Sequence, residues 1–167
     1  FSEAVAALAS RGRWFRAQVV HLHDWHTALA AAWLQQASWQ GATVLSIHNL
    51  AFQGFCDAAL MARTGLAAAQ TTSARIEPGG GYALMQAGIA CSDVVTTVSR
   101  GYAREIQTEA QGCGLQRALQ ARAATGALHG IVNGIDERSW GPQHDPALAH
   151  RYGFDNVDDG KARNRAT

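Results

Sequence analysis

Ala17-Gln18-Val19-Val20-His21-Leu22-His23-Asp24-Trp25-His26-Thr27-Ala28-Leu29-Ala30-Ala31-Ala32-Trp33 decides the fold of this chain. The run Ala17–Leu22 is short, β-branched and nearly continuous in its apolar character, as in a parallel-sheet strand covered on both faces. Polar His23-Asp24 stops it. Trp25, Ala28, Leu29, Ala32 and Trp33 then recur at helical spacing and form one apolar stripe. The unit is a strand, a polar turn and a helix.

The same unit repeats outward from there. Thr43–Ile47, Val94–Val98 and Leu128–Val132 are three more such runs. Helical patterns separate them: Tyr82, Met85 and Ile89; Tyr102, Ala103 and Ile106; Leu115, Ala118 and Leu119. Alternation of this kind predicts an α/β fold, a Rossmann-like parallel sheet with flanking helices. Phe52–Gly81, with Pro78 and Gly79-Gly80-Gly81, reads as a long loop holding a short helix or two. Gly141-Pro142 and Asp145-Pro146 mark turns, and polar Asp155–Thr167 predicts an outer helix.

Each strand ends on polar or turn residues: His23-Asp24, His48-Asn49, Ser99 and Asn133-Gly134. In a parallel sheet these carboxyl ends share one edge, where open α/β folds bind ligands and helix N-termini present unpaired N–H groups. The pattern therefore predicts a polar ligand at that rim.

Composition narrows the function classes. The 167 residues are 47% hydrophobic and 16% charged, enough for a core but not for two full domains. A formal net charge of +1 and the lack of long like-charge runs argue against a nucleic-acid binder. The apolar stretches are broken by His, Gln or Gly, so none spans a membrane. The three cysteines, Cys56, Cys91 and Cys113, are odd in number and widely spaced, which points to free thiols rather than a disulfide or zinc framework. The opening Phe1-Ser2-Glu3 leads to the expectation of a piece of a longer protein.

The cluster His21-Leu22-His23-Asp24-Trp25-His26 invites a metal reading, since strand alternation puts His21 and His23 on one face. Metallo-β-lactamase-type hydrolases place the Asp two residues after the second His; here it is adjacent, and no second ligand set follows, so no metal is expected. The alternative is that Asp24 caps the next helix while His21 is a satisfied core residue. Asn133-Gly134 has the form of a hairpin turn, but Ile135–Trp140 does not alternate as a return strand should. Gly79–Gly81 lacks the dinucleotide-loop pattern, and there is no Gly-x-Ser-x-Gly elbow.

The strand-end segments resemble glycogen and starch synthases, which transfer glucose from a nucleotide sugar to a growing α-1,4-glucan. Val19–His26 is similar to the family's V-H-x-H-D-W-H, and Ser46–Gly54 to its T-x-H-N-L-A-[YF]-Q-G. Ala87–Asp93 with Thr97-Val98-Ser99 resembles K-A-G-L-x-x-A-D…T-V-S. Tyr102–Ile106 is similar to Y-A-x-E-I, and Gly112–Leu115 to G-x-G-L. Ile131–Asp136 with Trp140 and Pro142 is similar to x-x-N-G-[IV]-D…W-x-P, and Lys161, Asn164 and Arg165 to K-x-x-N-[KR]. The matches are collinear over nearly the whole chain. Arg100 departs from the family's Pro, and the Asp57–Ile76 loop diverges.

The resemblance implies part of a two-domain GT-B glycosyltransferase. Residues 1–153 would be the later part of the N-terminal, acceptor-side domain, and 154–167 the start of a helical connection toward a C-terminal domain. It implies glucose transfer from ADP-glucose to the non-reducing end of an α-1,4-glucan with retention, without metal or resident cofactor, in a bacterial cytoplasm or plastid stroma. His48 and Asp24 would be the catalytic-site residues, His48 through its backbone carbonyl on the glucose 6-hydroxyl. Asn133, Gly134, Asn49 and Gln53 would bind substrate. Attack of the acceptor on the face the diphosphate leaves is implied, rather than Asp24 as a carboxylate nucleophile. Diphosphate charge would be met by the other domain, so this chain alone would not turn over. A sucrose synthase-like transferase, a metal-dependent hydrolase and a carbohydrate-binding module are the alternatives.

Overall fold

The computed structural model describes residues 1–12, 16–76 and 80–167; Pro78 and Gly79 of the expected loop lie outside them. The chain divides into two compact units, Phe1–Val132 and Asn133–Thr167.

In the first unit the elements run α1 (Ser2–Arg11), β1 (Val19–His23), α2 (Asp24–Gln36), β2 (Ala42–Ile47), β3 (Phe55–Cys56), α3 (Ala58–Ala62), α4 (Ala68–Ser73), β4 (Tyr82–Ala83), α5 (Leu84–Cys91), β5 (Val94–Thr97), α6 (Arg100–Glu105), α7 (Gln116–Ala124) and β6 (Leu128–Gly130). The main sheet has the order β1-β2-β5-β6, and all its pairings are parallel. The α/β reading holds, and the carboxyl ends of all four strands point one way.

One face of the sheet makes the core. Leu22, Leu45, Ile47 and Val95 are buried there with Leu34, Met85, Ile89 and Leu119 from the helices. Ala28, Ala30, Ala31 and Ala32 of α2 are all fully buried, more than a single stripe predicts, because α2 lies against β1, β2, α1 and α5 together. The small side chains permit that. A Cβ on Gly88 of α5 would lie 2.6 Å from Ala28 Cβ and 3.0 Å from Leu45 Cδ2.

On the other face, the expectation of strands covered on both sides holds in β5, where Val95, Thr96 and Thr97 are all buried, and fails in β1. Burial alternates in β1, with Val19, His21 and His23 exposed. The residues on this face explain it: His21, Ser46 and Thr96 are polar and form a hydrogen-bonded row across three strands, Nε2 to Oγ at 2.7 Å and Oγ to Oγ1 at 2.6 Å. Two further differences are local. Tyr82 lies in β4, not in the helix that follows, and β3 and β4 form a small antiparallel sheet pairing Phe55 with Ala83 and Cys56 with Tyr82. Two short helices, α3 and α4, lie in the long loop as expected. Cys56, Cys91 and Cys113 are free.

The second unit holds α8 (Glu137–Trp140), a 3-10 turn (Phe154–Asn156) and α9 (Val157–Ala166), the expected outer helix. Asn164 ties α9 to the preceding segment: its Oδ1 accepts the His150 amide (3.0 Å) and its Nδ2 donates to the His150 carbonyl (2.6 Å). Asp136 caps α8, accepting the amides of Arg138 (3.0 Å) and Ser139 (3.2 Å).

Gly88→Ala is expected to destabilise the chain by about 1–3 kcal/mol through overpacking against Ala28, read as a lower urea midpoint. Helix propensity alone would give a gain of about 1 kcal/mol, so the sign of the shift decides between them.

Hydrogen bonds from Ser139, side chain and then backbone, and from the Arg138 amide hold the Asp136 carboxyl below the usual Asp value. A depressed carboxyl contributes stability that is present above its unfolded pKa and lost as pH falls through its folded one. Amide exchange at Arg138 and Ser139 is therefore expected to lose protection on acidification below the ordinary Asp range, and Asp136→Asn to weaken that dependence.

Candidate active site

The rim is built at the end of β1. Side chains alternate along a strand, so His23 and Asp24 would ordinarily face apart. Asp24 instead has φ 55°, in the left-handed region, which costs about 1–2 kcal/mol for a residue with a Cβ and is met most readily by Gly, Asn or Asp. Its Oδ1 accepts the backbone N–H of His48 at 2.8 Å and, at 3.4 Å, that of Asn49. The expected capping role is thereby corrected. His23 is the N-cap of α2, without a side-chain cap, because the left-handed turn spends the Asp24 carboxylate on the end of β2. Thr27 closes the first turn instead: its Oγ1 lies 2.6 Å from the His23 amide and 2.9 Å from the His23 carbonyl.

The segment after β2 has its backbone tied group by group. The Ile47 carbonyl accepts the Thr97 hydroxyl (2.9 Å), and the Leu50 amide donates to the Tyr102 hydroxyl (3.1 Å). The Ala51 amide donates to Asn49 Oδ1 (3.0 Å). Gln53 is buried, and its Nε2 donates to the Cys113 carbonyl (2.8 Å). Gly54 has φ +65°, and a Cβ there would fall 2.4 Å from the Trp25 ring. The sequence His48–Gly54 is thus held between α2, α6 and the turn before α7.

A cavity of about 360 Å³, within the size range of small-molecule sites, is lined by Asp24, Trp25, His26, Asn49 and Phe52. It joins two predicted residues, Asp24 and Asn49, to three aromatic rings that sequence reasoning did not assign to the site. The ring centroids of Trp25 and His26 lie 4.0 Å apart, and Phe52 is 63% exposed. Flat apolar faces beside a carboxylate and an amide suit a polyhydroxylated ring better than an anion. The adjacency of Asp24-Trp25-His26 was the available signal.

Of the other predicted residues, His48 adjoins Asp24 through its amide and turns its ring toward His23, Nε2 to Nδ1 at 3.0 Å. Gln53 lies beneath the loop as a brace. Asn133 and Gly134 open the second unit; a Cβ on Gly134 would meet nothing within 4 Å. Ser99 sits at the rim as the N-cap of α6, its Oγ accepting the Tyr102 amide at 2.9 Å. Arg100 follows at the first helical position, where the family's Pro is readily accommodated.

His21 is satisfied by Ser46 but is not a core residue, since it is exposed. Partial burial first, and then the neighbouring imidazoles of His23 and His48, lower its pKa. Among the described residues no group of three or more His, Cys, Asp or Glu is arranged to hold a metal ion. His21 Nε2 lies 2.7 Å from Ser46 Oγ, and His23 Nδ1 lies 3.0 Å from His48 Nε2.

Residues 1–121 match the family model of the starch synthase catalytic domain. The chain belongs to that family. It is 48% identical over 139 residues to a glycogen synthase of Alkalilimnicola ehrlichii, covering 83% of this chain and 28% of the relative. With a glycogen synthase of Actinobacillus succinogenes it shares 40% over 153 residues, 92% of this chain and 32% of the relative. The catalytic domain of starch synthase IV from Arabidopsis thaliana, solved with ADP and acarbose, superposes with a TM-score of 0.72 at 29% identity, covering 98% of this chain and 34% of that one. The fold is the Rossmann-like α/β sheet of a GT-B enzyme. This starch synthase-family chain spans about a third of the length of these relatives. Among the described residues no helix is long and apolar enough to cross a membrane.

Tyr102→Phe is expected to cost about 1–3 kcal/mol, because it strands the amide of fully buried Leu50. Urea unfolding measures it; an unchanged midpoint would mean that the amide finds another partner.

Proposed function

We propose that this chain is the acceptor-side part of a retaining glucosyltransferase that extends an α-1,4-glucan from ADP-glucose. The observation that carries the reading is the Asp24–His48 hydrogen bond, made by a left-handed Asp24 at the mouth of an aromatic-lined cavity. A strained residue at a ligand rim is a feature of functional sites. The backbone carbonyl of His48 takes the glucose 6-hydroxyl, and Asp24 orients that carbonyl by accepting the His48 amide before it and the Asn49 amide in the carbonyl's own peptide plane. Asn49 contacts the sugar from the cavity wall. Gln53 serves binding by holding the loop, and the family motif around Asn133 and Gly134 makes these two further substrate-binding residues.

The nucleotide sugar is a substrate, and no resident cofactor or metal takes part. Residues 154–167 begin the connection to a further domain, which supplies the cations for the departing diphosphate. The protein works in a bacterial cytoplasm or plastid stroma. Stoichiometric zinc in the purified chain would favour a hydrolase instead.

The test replaces the matching segment of the Alkalilimnicola ehrlichii glycogen synthase with this chain and follows glucose incorporation from ADP-glucose into glycogen. The chimera is expected to make glucan. Asp24→Ala is expected to lower kcat about 100-fold or more, the scale of losing one preorganised polar group, with the fold retained by circular dichroism. Glucan synthesis at the unsubstituted rate would remove Asp24 from the site.

A further inference from the structure

His23 has no part in the proposed glucosyl transfer, yet it is bound to the residue at the centre of that site. Its Nδ1 lies 3.0 Å from His48 Nε2, and the two ring centroids are 5.3 Å apart at 25°. Both side chains come from strand ends that pair in register, His23 opposite Ser46 and His48 two residues beyond. On its other side His23 meets the His21 ring at 4.3 Å, which is itself hydrogen-bonded to Ser46.

Two N–H groups cannot face each other across such a distance, and neither can two lone pairs. One ring must donate and the other accept, so the tautomer of each ring fixes that of its neighbour. The adjacent residue, Asp24, holds the His48 amide. Two consecutive residues of the β1–α2 junction therefore grip His48 at two points, backbone and ring, and the left-handed turn at Asp24 allows both to face the same strand end.

We propose that His23 is a positioning residue that fixes the ring orientation of His48 and couples the tautomer of that ring to its own, completing a two-point clamp with Asp24. The clamp as geometry needs only this chain; its consequence for turnover rests on the glucosyltransferase reading. With the ring free to rotate, the backbone at His48 would be held at one point, and misplacement on the order of 1 Å can cost about 100-fold in rate.

The substitutions separate the parts of His23. His23→Phe keeps a flat ring and removes the nitrogen. His23→Asn keeps a polar atom at the position of Nδ1 and removes the ring. Side-chain ¹⁵N spectra of the 167-residue chain at alkaline pH read the proton on each ring nitrogen directly. The unsubstituted chain is expected to show His23 and His48 in matching tautomers, both Nδ1–H or both Nε2–H, since one ring must donate to the other. His23→Phe is expected to change the His48 tautomer ratio with the backbone amide spectrum preserved, and His23→Asn to bring it back. In the chimera, His23→Phe is expected to lower kcat at least about tenfold with little change in KM for ADP-glucose, and His23→Asn to recover most of that loss.

Unmatched tautomer populations of His23 and His48 in the unsubstituted chain overturn the clamp, whether or not His23→Phe folds. A His48 tautomer ratio unchanged by His23→Phe overturns it as well. Matched tautomers in a chimera that makes no glucan uphold the clamp and overturn the glucosyltransferase reading, so the two fail separately.

Discussion

The acceptance of the His48 amide by the Asp24 carboxylate, made possible by a backbone turn that a residue with a Cβ seldom adopts, is the constraint on which the rim depends. A parallel sheet brings strand ends together but leaves their final polar groups unpaired, because the strands diverge into separate loops. At this edge the first unpaired N–H beyond β2 is taken by the first residue beyond β1. The left-handed turn costs about 1–2 kcal/mol, and a charge-assisted hydrogen bond contributes about 1.5–3 kcal/mol. The bond is therefore strong enough to hold the turn, with little surplus. The arrangement is one of position more than of stability.

That bond explains why the segment following β2 is so thoroughly braced. A loop at a sheet edge is ordinarily mobile, since its backbone can satisfy itself with water. Here Thr97, Asp24, Tyr102, Asn49 and Gln53 each hold a backbone group or anchor the loop to a neighbouring turn. Trp25 closes against Gly54, leaving no room for a side chain there. Gln53, which the loop motif offers as a substrate contact, is buried and donates its Nε2–H to the Cys113 carbonyl, so it also anchors the loop.

The four-strand architecture is legible because each strand is an apolar run stopped by polar residues and followed by a helical stripe, a signal local to about fifteen residues. Rim positions follow from topology, which is why Asp24, His48, Asn49 and Ser99 can be placed from the strand ends alone. Elements without periodicity are not readable: β3 and β4 are each two residues long, and Tyr82 sits two residues before a helix whose spacing it happens to match. The covering of both faces of β1 is overestimated because the run Val19–Leu22 looks continuous when His21 is counted among the apolar positions. The His23–His48 pair is out of reach for a different reason. It joins residues 25 apart across two strands, and its existence depends on register and on the unusual φ of the residue that follows His23, neither of which has a local signature.

The cavity also bears on how labour divides between this chain and the rest of such an enzyme. Its lining among the described residues holds one carboxylate, one amide and three aromatic rings, and no lysine or arginine. Glucose units offer hydroxyls and flat apolar ring faces, which such a lining meets well. A nucleoside diphosphate offers concentrated negative charge, which in a water-poor site requires cations or aligned N–H groups. The carboxylate of Asp24 would oppose that charge, and the amides closest to it are already committed to it. The same hydrogen bond that orders the His48 backbone therefore makes this rim a poor place for phosphate. If the proposed reaction is run here, the donor must lie with its glucose toward Asp24 and its diphosphate pointing away, into a surface that other parts of the enzyme provide.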